Sequence, residues 1–424
     1  MFGAHSLIIF KYANTLNYIS FVLRERKVLS FGLSFTFFSS FGQTFLISLF
    51  VPFFLADFNL SNAAFGSIYS LATLSSAAIL PYMGKWIDHL PIGRYSLYVA
   101  SGLFVAALTM SLSWHIAFLF AAILMLRLSG QGLSGHTAET AMARYFKLQR
   151  GKALSVSSLG YPLGEGILPL LMAALLAVVS WRMAWGIIAA VIVLAFIPFL
   201  LYVLHKTEIE ETNQKAKEAS NQDDSSTAHV YRKVLTEQRF WLILPAVLLP
   251  PFWVTGLFLY QVSIAEQLGW TAAIIASAFV FFAGSRIISS LSIGPLIDKW
   301  SASTIYPFYL IPFGAGLFIA FLQSGVWSAF VYMALVGITM GLGSTTKSAL
   351  LTELYGENVI GTVRSLFASI MVFSTAISPF LMGWMLDQHV PMETILLTAI
   401  GSVIVATGLA FIGLSSEKEQ PTAS

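Results

Sequence analysis

The sequence predicts an all-α membrane protein with twelve transmembrane helices in two pseudo-symmetric six-helix halves. Three observations carry this. First, hydrophobic residues make up 57% of the 424-residue chain and charged residues only 10%, against about 25% charged in a soluble domain. With a mean hydropathy of +0.78, such a chain cannot hide its apolar surface from water, and lipid becomes its solvent. Second, twelve apolar runs of roughly the 20 residues that a spanning helix needs can be placed along it. Third, the chain repeats itself. Gly84-Lys85-Trp86-Ile87-Asp88 lies in a polar gap between two apolar runs, and Gly294-Pro295-Leu296-Ile297-Asp298 lies in a similar gap 210 positions later. The same offset relates Gly151 to Gly361, Ser155 to Ser365, Pro169 to Pro379, Leu171 to Leu381 and Met172 to Met382.

The spans fall at 30–54, 62–83, 95–112, 115–142, 152–178, 183–204, 240–264, 271–292, 305–323, 326–349, 363–386 and 393–414. They are numbered one to twelve here. The expected organisation is an N-terminal cytoplasmic tail (1–29), a first bundle (30–204), a linker (205–238), a second bundle (239–415) and a C-terminal tail (416–424). Residues 1–27 carry Lys11, Arg24, Arg26 and Lys27 without a convincing cleavage site, and read as a tail beside the membrane. The linker is rich in Lys, Glu and Asp and reads as solvated and partly disordered. Spans five and seven contain breakers: Gly160, Pro162, Gly164 and Gly166 in one, Pro245, Pro250, Pro251 and Gly256 in the other. Small residues four apart allow close helix approach.

Lys and Arg set the orientation. Lys85 and Arg94 lie in the loop after span two, Arg144, Lys147, Arg150 and Lys152 around the loop after span four, and six more between the halves. The opposite loops have essentially only Arg182. Both termini and the linker are therefore expected inside, in the inner membrane of a bacterium. There is no cysteine, so structural disulfides and thiolate metal sites are excluded. No Gly-x-x-x-x-Gly-Lys-Ser/Thr motif, nucleophile–base set or metal cluster stands out. Neither an enzyme nor a cofactor is expected. Nucleic acid is not an expected partner, and the chain reads as a monomer in lipid.

Charges within spans are costly, by about 2.5–3.5 kcal/mol on insertion scales, and mark cavities or partners. Arg127 lies mid-depth in span four, with Gln131 and Ser134 following at i+4 and i+7 on one stripe. His136 is nine positions from Arg127, on the opposite side of the helix, and with Glu139 lies nearer the cytoplasm. Glu165 is at mid-depth in span five, either a proton carrier or a structural partner for Arg127. Thr36, Ser39, Ser40 and Gln43 share one face of span one, and Trp253, Tyr260 and Gln261 offer a matching wall from span seven. Arg286 is the deep charge of span eight, about 18 Å from Asp298 along the helix, with Ser289 and Ser290 on its face. Lys347 aligns with His136 and either snorkels to water or lines a cavity.

The repeated Gly-x-x-x-Asp resembles the signature of the major facilitator superfamily, Gly-x-x-x-Asp-Arg-x-Gly-Arg between helices 2 and 3, with a degraded copy after helix 8. Here Gly84 and Asp88 are followed by His89, and Gly93-Arg94 arrives two residues late; the second copy keeps Gly294, Asp298 and Lys299. The resemblance covers roughly 28–415. Arg127…Gln131-Gly132 is similar to the family's Arg-x-x-Gln-Gly with one extra residue, and Gly160 to Gly166 is faintly similar to its antiporter motif. The resemblance implies a secondary transporter working by alternating access. It also implies that Asp88 gates by facing the start of helix 11, near Gly361 and Thr362, with Asp298 facing the start of helix 5, near Gly151, and Arg94 belonging to the same latch. In carboxylate-transporting members an arginine on helix 8 contacts substrate, which points to Arg286.

Two mid-depth arginines against one acid favour a small organic anion, a carboxylate, bound by Arg127, Gln131, Arg286, Gln43, Trp253, Tyr260 and Gln261. Glu165 would couple transport to protons or another ion. The alternatives are a drug/proton antiporter exporting apolar or cationic compounds, and a transport-inactive receptor or scaffold.

Overall fold

The structure is a computed structural model, and describes residues 18, 20–146, 148–209, 227–322, 325–356 and 359–415. The expected C-terminal tail, most of the N-terminal tail and residues 210–226 of the linker lie outside these. Among the described residues there are helices and no strands. Among the same residues, eleven helices are long and apolar enough to span a membrane, and one bent pair, counted as a single span, makes twelve. In order they are α1 (Arg26–Gly42 with Thr44–Phe58), α2 (Asn62–His89), α3 (Ile92–Ser111), α4 (Ile116–Tyr145), α5 (Arg150–Leu176), α6 (Trp181–Lys206), α7 (Gln238–Leu259), α8 (Ala272–Trp300), α9 (Ala302–Phe321), α10 (Val326–Tyr355), α11 (Thr362–Asp387) and α12 (Met392–Ser415).

The halves meet along two pairs of helices related by the repeat, α2 on α11 and α5 on α8. The expected polar gaps at Gly84–Asp88 and Gly294–Asp298 are not open loops. The chain stays helical through them, to His89 and to Trp300. The expected linker also holds order: Thr227–Thr236 is helical, buries Val234 and joins Tyr231 Oη to Ser365 Oγ on α11 at 2.8 Å. Its apolar positions fall on one helical face, and that periodicity outweighs the charged composition around it.

Helix irregularities position the interior. α1 bends by 45° at Gln43, which is extended (ψ 150°). The bend lays Gly42 against Gly130 and the Leu126 carbonyl of α4, where a Cβ has no room. α4 is π-wound over Leu126–Leu133. Such a stretch accommodates an extra residue and re-aims the side chains after it. Gly160 and Gly164 bring α5 onto Thr36 and Ser40 of α1, the close approach that the four-residue spacing predicts. In α7, Pro250 has no N–H for the Ala246 carbonyl four residues back. The Tyr309 hydroxyl donates to that carbonyl instead. Neighbouring side chains re-satisfy a broken helix in the same way elsewhere in membranes.

Candidate functional site

At the face carrying the α1–α2 turn, the halves are locked together. Asp387, the last residue of α11, accepts from the start of α2: Asn62 N–H (3.0 Å) and Asn62 Nδ2 (2.9 Å) on Oδ1, and Ala63 N–H (2.8 Å) on Oδ2. A carboxylate is well placed there, since the first N–H groups of a helix lack partners and carry partial positive charge. Beside it the Tyr260 hydroxyl donates to the Asn62 carbonyl (2.6 Å). Gln261 Nε2 reaches across to Phe45 O (3.1 Å) and Ser48 Oγ (2.5 Å). On the same face, but within one half, Asp57 accepts from Trp181 Nε1 (2.8 Å) and Arg182 Nη1 (2.5 Å), and Arg182 also holds the Ser113 carbonyl. Arg182 is thus a staple joining α1, α6 and the end of α3.

The opposite, basic face is open. A funnel of 1420 Å³ enters between the halves, past Arg144, Arg150, Glu139 and Glu353 to Arg364 on α11. Asp88 pairs here with Arg144 of its own half, whose Nη1 also holds the Ile87 carbonyl (3.3 Å). In this conformation Asp88 therefore caps no helix of the other half among the described residues. Asp298 and Arg94 are exposed. Glu353 caps the start of α9 through Ala302 N–H (2.7 Å) and Ser303 N–H (2.9 Å).

The funnel shares Tyr161 and Ser344 with a second, deeper cavity of 590 Å³ between the halves. Its wall holds Gln43, Arg127, Gln131, Glu165 and Arg286, which the sequence singled out, together with Tyr161, Lys347, Thr73, Ser76 and Thr339. Arg286 of α8 forms an ion pair with Glu165 of α5, so one salt bridge crosses between the halves at the cavity wall. Glu165 is 9% exposed, and its Oε2 has no hydrogen-bond partner among the described residues. Arg127 is 6% exposed. It donates to the Gly42 carbonyl (3.2 Å), its guanidinium lies 5.2 Å from the Tyr69 ring centroid, and its Nε is without a partner among the described residues. Glu165 is thus the partner of Arg286, not of Arg127.

Several expected residues lie elsewhere. Trp253 turns toward α12 and donates to Ser402 Oγ (2.9 Å). Tyr260 and Gln261 belong to the locked face, because α7 ends at Leu259 and a new helix, Gln261–Gln267, starts there. A straight-helix count through that break puts them on the wrong wall. Ser39 and Ser40 are buried against neighbouring helices, and Thr36 donates to Ser157 O (2.5 Å) and borders only the funnel. Ser134 is buried and donates to Ser129 O, five residues back (2.7 Å). The π winding has moved it off the stripe expected from α-helical spacing. His136 meets the Gly84 carbonyl (3.3 Å) on α2, away from the deep cavity. Sequence reasoning missed Tyr161, though it stands one turn before Glu165 on α5, and left Lys347 undecided.

The Major Facilitator Superfamily profile matches residues 33–263 and 251–424. Among solved structures, a point mutant of the nucleoside transporter NupG superposes with a TM-score of 0.70 at 13% identity, over 92% of this chain and 99% of that one. A second structure of the nucleoside transporter NupG gives a TM-score of 0.68 at 15% identity, over 93% and 99%. At such identities the likeness is one of fold. No curated protein sequence matches. The profile spans nearly all twelve helices, including both helix pairs that frame the cavity, and the chain belongs to the Major Facilitator Superfamily.

Proposed function

We propose that this transporter carries a small organic anion, a carboxylate, with transport coupled to protons through Glu165. The observation that carries the reading is the cross-half pair of Arg286 and Glu165 on the cavity wall, with Arg127 nearby and not paired to a carboxylate among the described residues. Arginine stays protonated at any working pH, so it cannot escape burial by losing its charge. An arriving carboxylate suits the planar guanidinium fork. Protonation of Glu165 breaks its bond to Arg286, frees that guanidinium for the anion and unties the halves at one step. With the basic face in the cytoplasm, as positive loops favour, the described state is open inward. Asp88, Arg94 and Asp298 then become the latch of the opposite state, in which the funnel closes.

A second reading has one observation in its favour. Phe45, Phe258, Phe282, Tyr161 and Tyr309 all border the deep cavity, and aromatic faces suit a base or an apolar drug. Such a neutral substrate would leave Arg127 unpaired. Reconstituted vesicles separate the readings. We expect uptake of labelled mono- and dicarboxylates, driven by an inward proton gradient, and none of uridine or a cationic dye. Uptake of uridine or of the dye without any carboxylate would overturn the proposal.

A further inference from the structure

Lys347 decides more than its place near the end of α10 suggests. It lies eight residues before Tyr355, about 12 Å from the end of the helix. A lysine at that depth can reach back to water. Here Lys347 is half-buried, borders the deep cavity and is not on the funnel wall. It follows Thr339, Met340, Gly343 and Ser344 on one face of α10, at helical spacing, and that whole face lines the cavity. Its ammonium group lies 3.9 Å from Met371 Sδ, a weak acceptor that cannot balance a charge.

The charges on the cavity wall can now be counted among the described residues. The cations are Arg127, Arg286 and Lys347, and the one carboxylate is Glu165. While Glu165 is ionised it is committed to Arg286. Arg127 and Lys347 remain, one from each half, each holding only neutral groups. Burying an unpaired charge costs several kcal/mol when burial is complete, as at Arg127, and less at the half-buried Lys347. A monoanion relieves that cost at one of the two and leaves the other. A molecule with a carboxylate at each end relieves both and ties α4 to α10 across the cavity. The two ends are recognised differently: the guanidinium has a fixed fork, while the ammonium is a point charge with freely turning donors.

We propose that Lys347 is a second substrate-binding cation, paired in function with Arg127, and that the transported molecule is a small dicarboxylate. This rests on the anion reading above and narrows it. The full chain in detergent is titrated with straight-chain dicarboxylates of three to six carbons, each against its own monomethyl ester. We expect at least one diacid to bind tenfold or more tightly than its ester. Lys347→Gln should bring that diacid down to the ester's affinity while moving the ester's affinity less than twofold, and Lys347→Arg should retain the preference. Melting curves check that the variants fold, and the wild-type comparison needs no variant at all. Equal affinities for diacid and ester, or a loss in Lys347→Gln shared by both, overturn this inference and leave the anion reading standing. Binding of uridine with no carboxylate bound overturns both.

Discussion

Asp387→Asn tests how the locked face is held. The carboxylate receives three hydrogen bonds from the first residues of α2, at 2.8–3.0 Å. An amide of the same shape keeps one oxygen and turns its NH₂ toward an N–H that needs an acceptor. A hydrogen bond to a charged group is worth about 1.5–3 kcal/mol and a neutral one about 0.5–1.5. The charge itself adds about 0.3–1 kcal/mol at a helix N-terminus. Asp387 is only half-buried, and solvent screening lowers these figures. A net loss of about 1–2 kcal/mol follows, which shifts a two-state equilibrium by about 5–30-fold. The substitution acts only on the state in which α11 meets α2, so the population moves toward opening at this face. The chain has no native cysteine, so Thr255→Cys on the deep cavity wall gives a single reporter. In sealed vesicles, a membrane-impermeant maleimide supplied at the locked face should label it about 5–30-fold faster in the Asp387→Asn background. A rate within twofold of the parent, or faster labelling from the basic face alone, would refute the latch.

Three further outcomes follow from the geometry. Glu165→Gln removes the partner of Arg286 while keeping its shape; gradient-driven accumulation in vesicles should fall at least tenfold while substrate exchange survives, and intact accumulation would assign Glu165 to structure. Arg286→Ala should nearly abolish transport, and Arg286→Lys should weaken it less, because the charge stays and the fork is lost; wild-type affinity in a folded Arg286→Ala protein would show that the arginine does not meet substrate. Asp88→Asn breaks a pair with Arg144 that is half exposed, so its melting temperature should barely move. Its turnover should slow while substrate affinity holds, and unchanged turnover would reduce Asp88 to a solvated surface carboxylate.

Much of this was legible because membranes penalise the same things everywhere. Mid-depth charges are expensive, so Arg127, Glu165 and Arg286 could be read as cavity residues from position alone, and all three line the cavity. Their pairing was not legible. Depth along a helix says nothing about which neighbour faces it, and Glu165 goes to α8, not to α4. Several other misses share one cause, the assumption of an unbroken turn of about 100° per residue. Where α4 winds as a π-helix, where α1 bends at Gln43 and where α7 stops at Leu259, the counted faces rotate away from the true ones. The extra residue between Arg127 and Gln131 was the visible trace of the first of these. Both remain on the cavity wall because the π stretch takes up that residue.

The locked face shows where the repeat stops being a guide. The offset of 210 relates the α2–α11 contact to the α8–α5 contact, so Asn62 maps to Ala272 and Asp387 to Ala177. Ala272 does begin α8, as Asn62 begins α2. Yet no acidic residue occurs between Gly166 and Thr207, so the end of α5 has nothing to offer the start of α8. The two contacts share a backbone arrangement and differ in charge. A symmetric pair of latches would hold both seams alike. With the carboxylate on one seam only, opening of this face depends on the α2–α11 seam. Reading from the repeated Gly-x-x-x-Asp led to the opposite face, where Asp88 now pairs within its own half. The physical rule was sound, since a carboxylate does cap a helix start across the halves. It is carried by a residue outside every repeated motif, which only the packing of α11 on α2 brings into place.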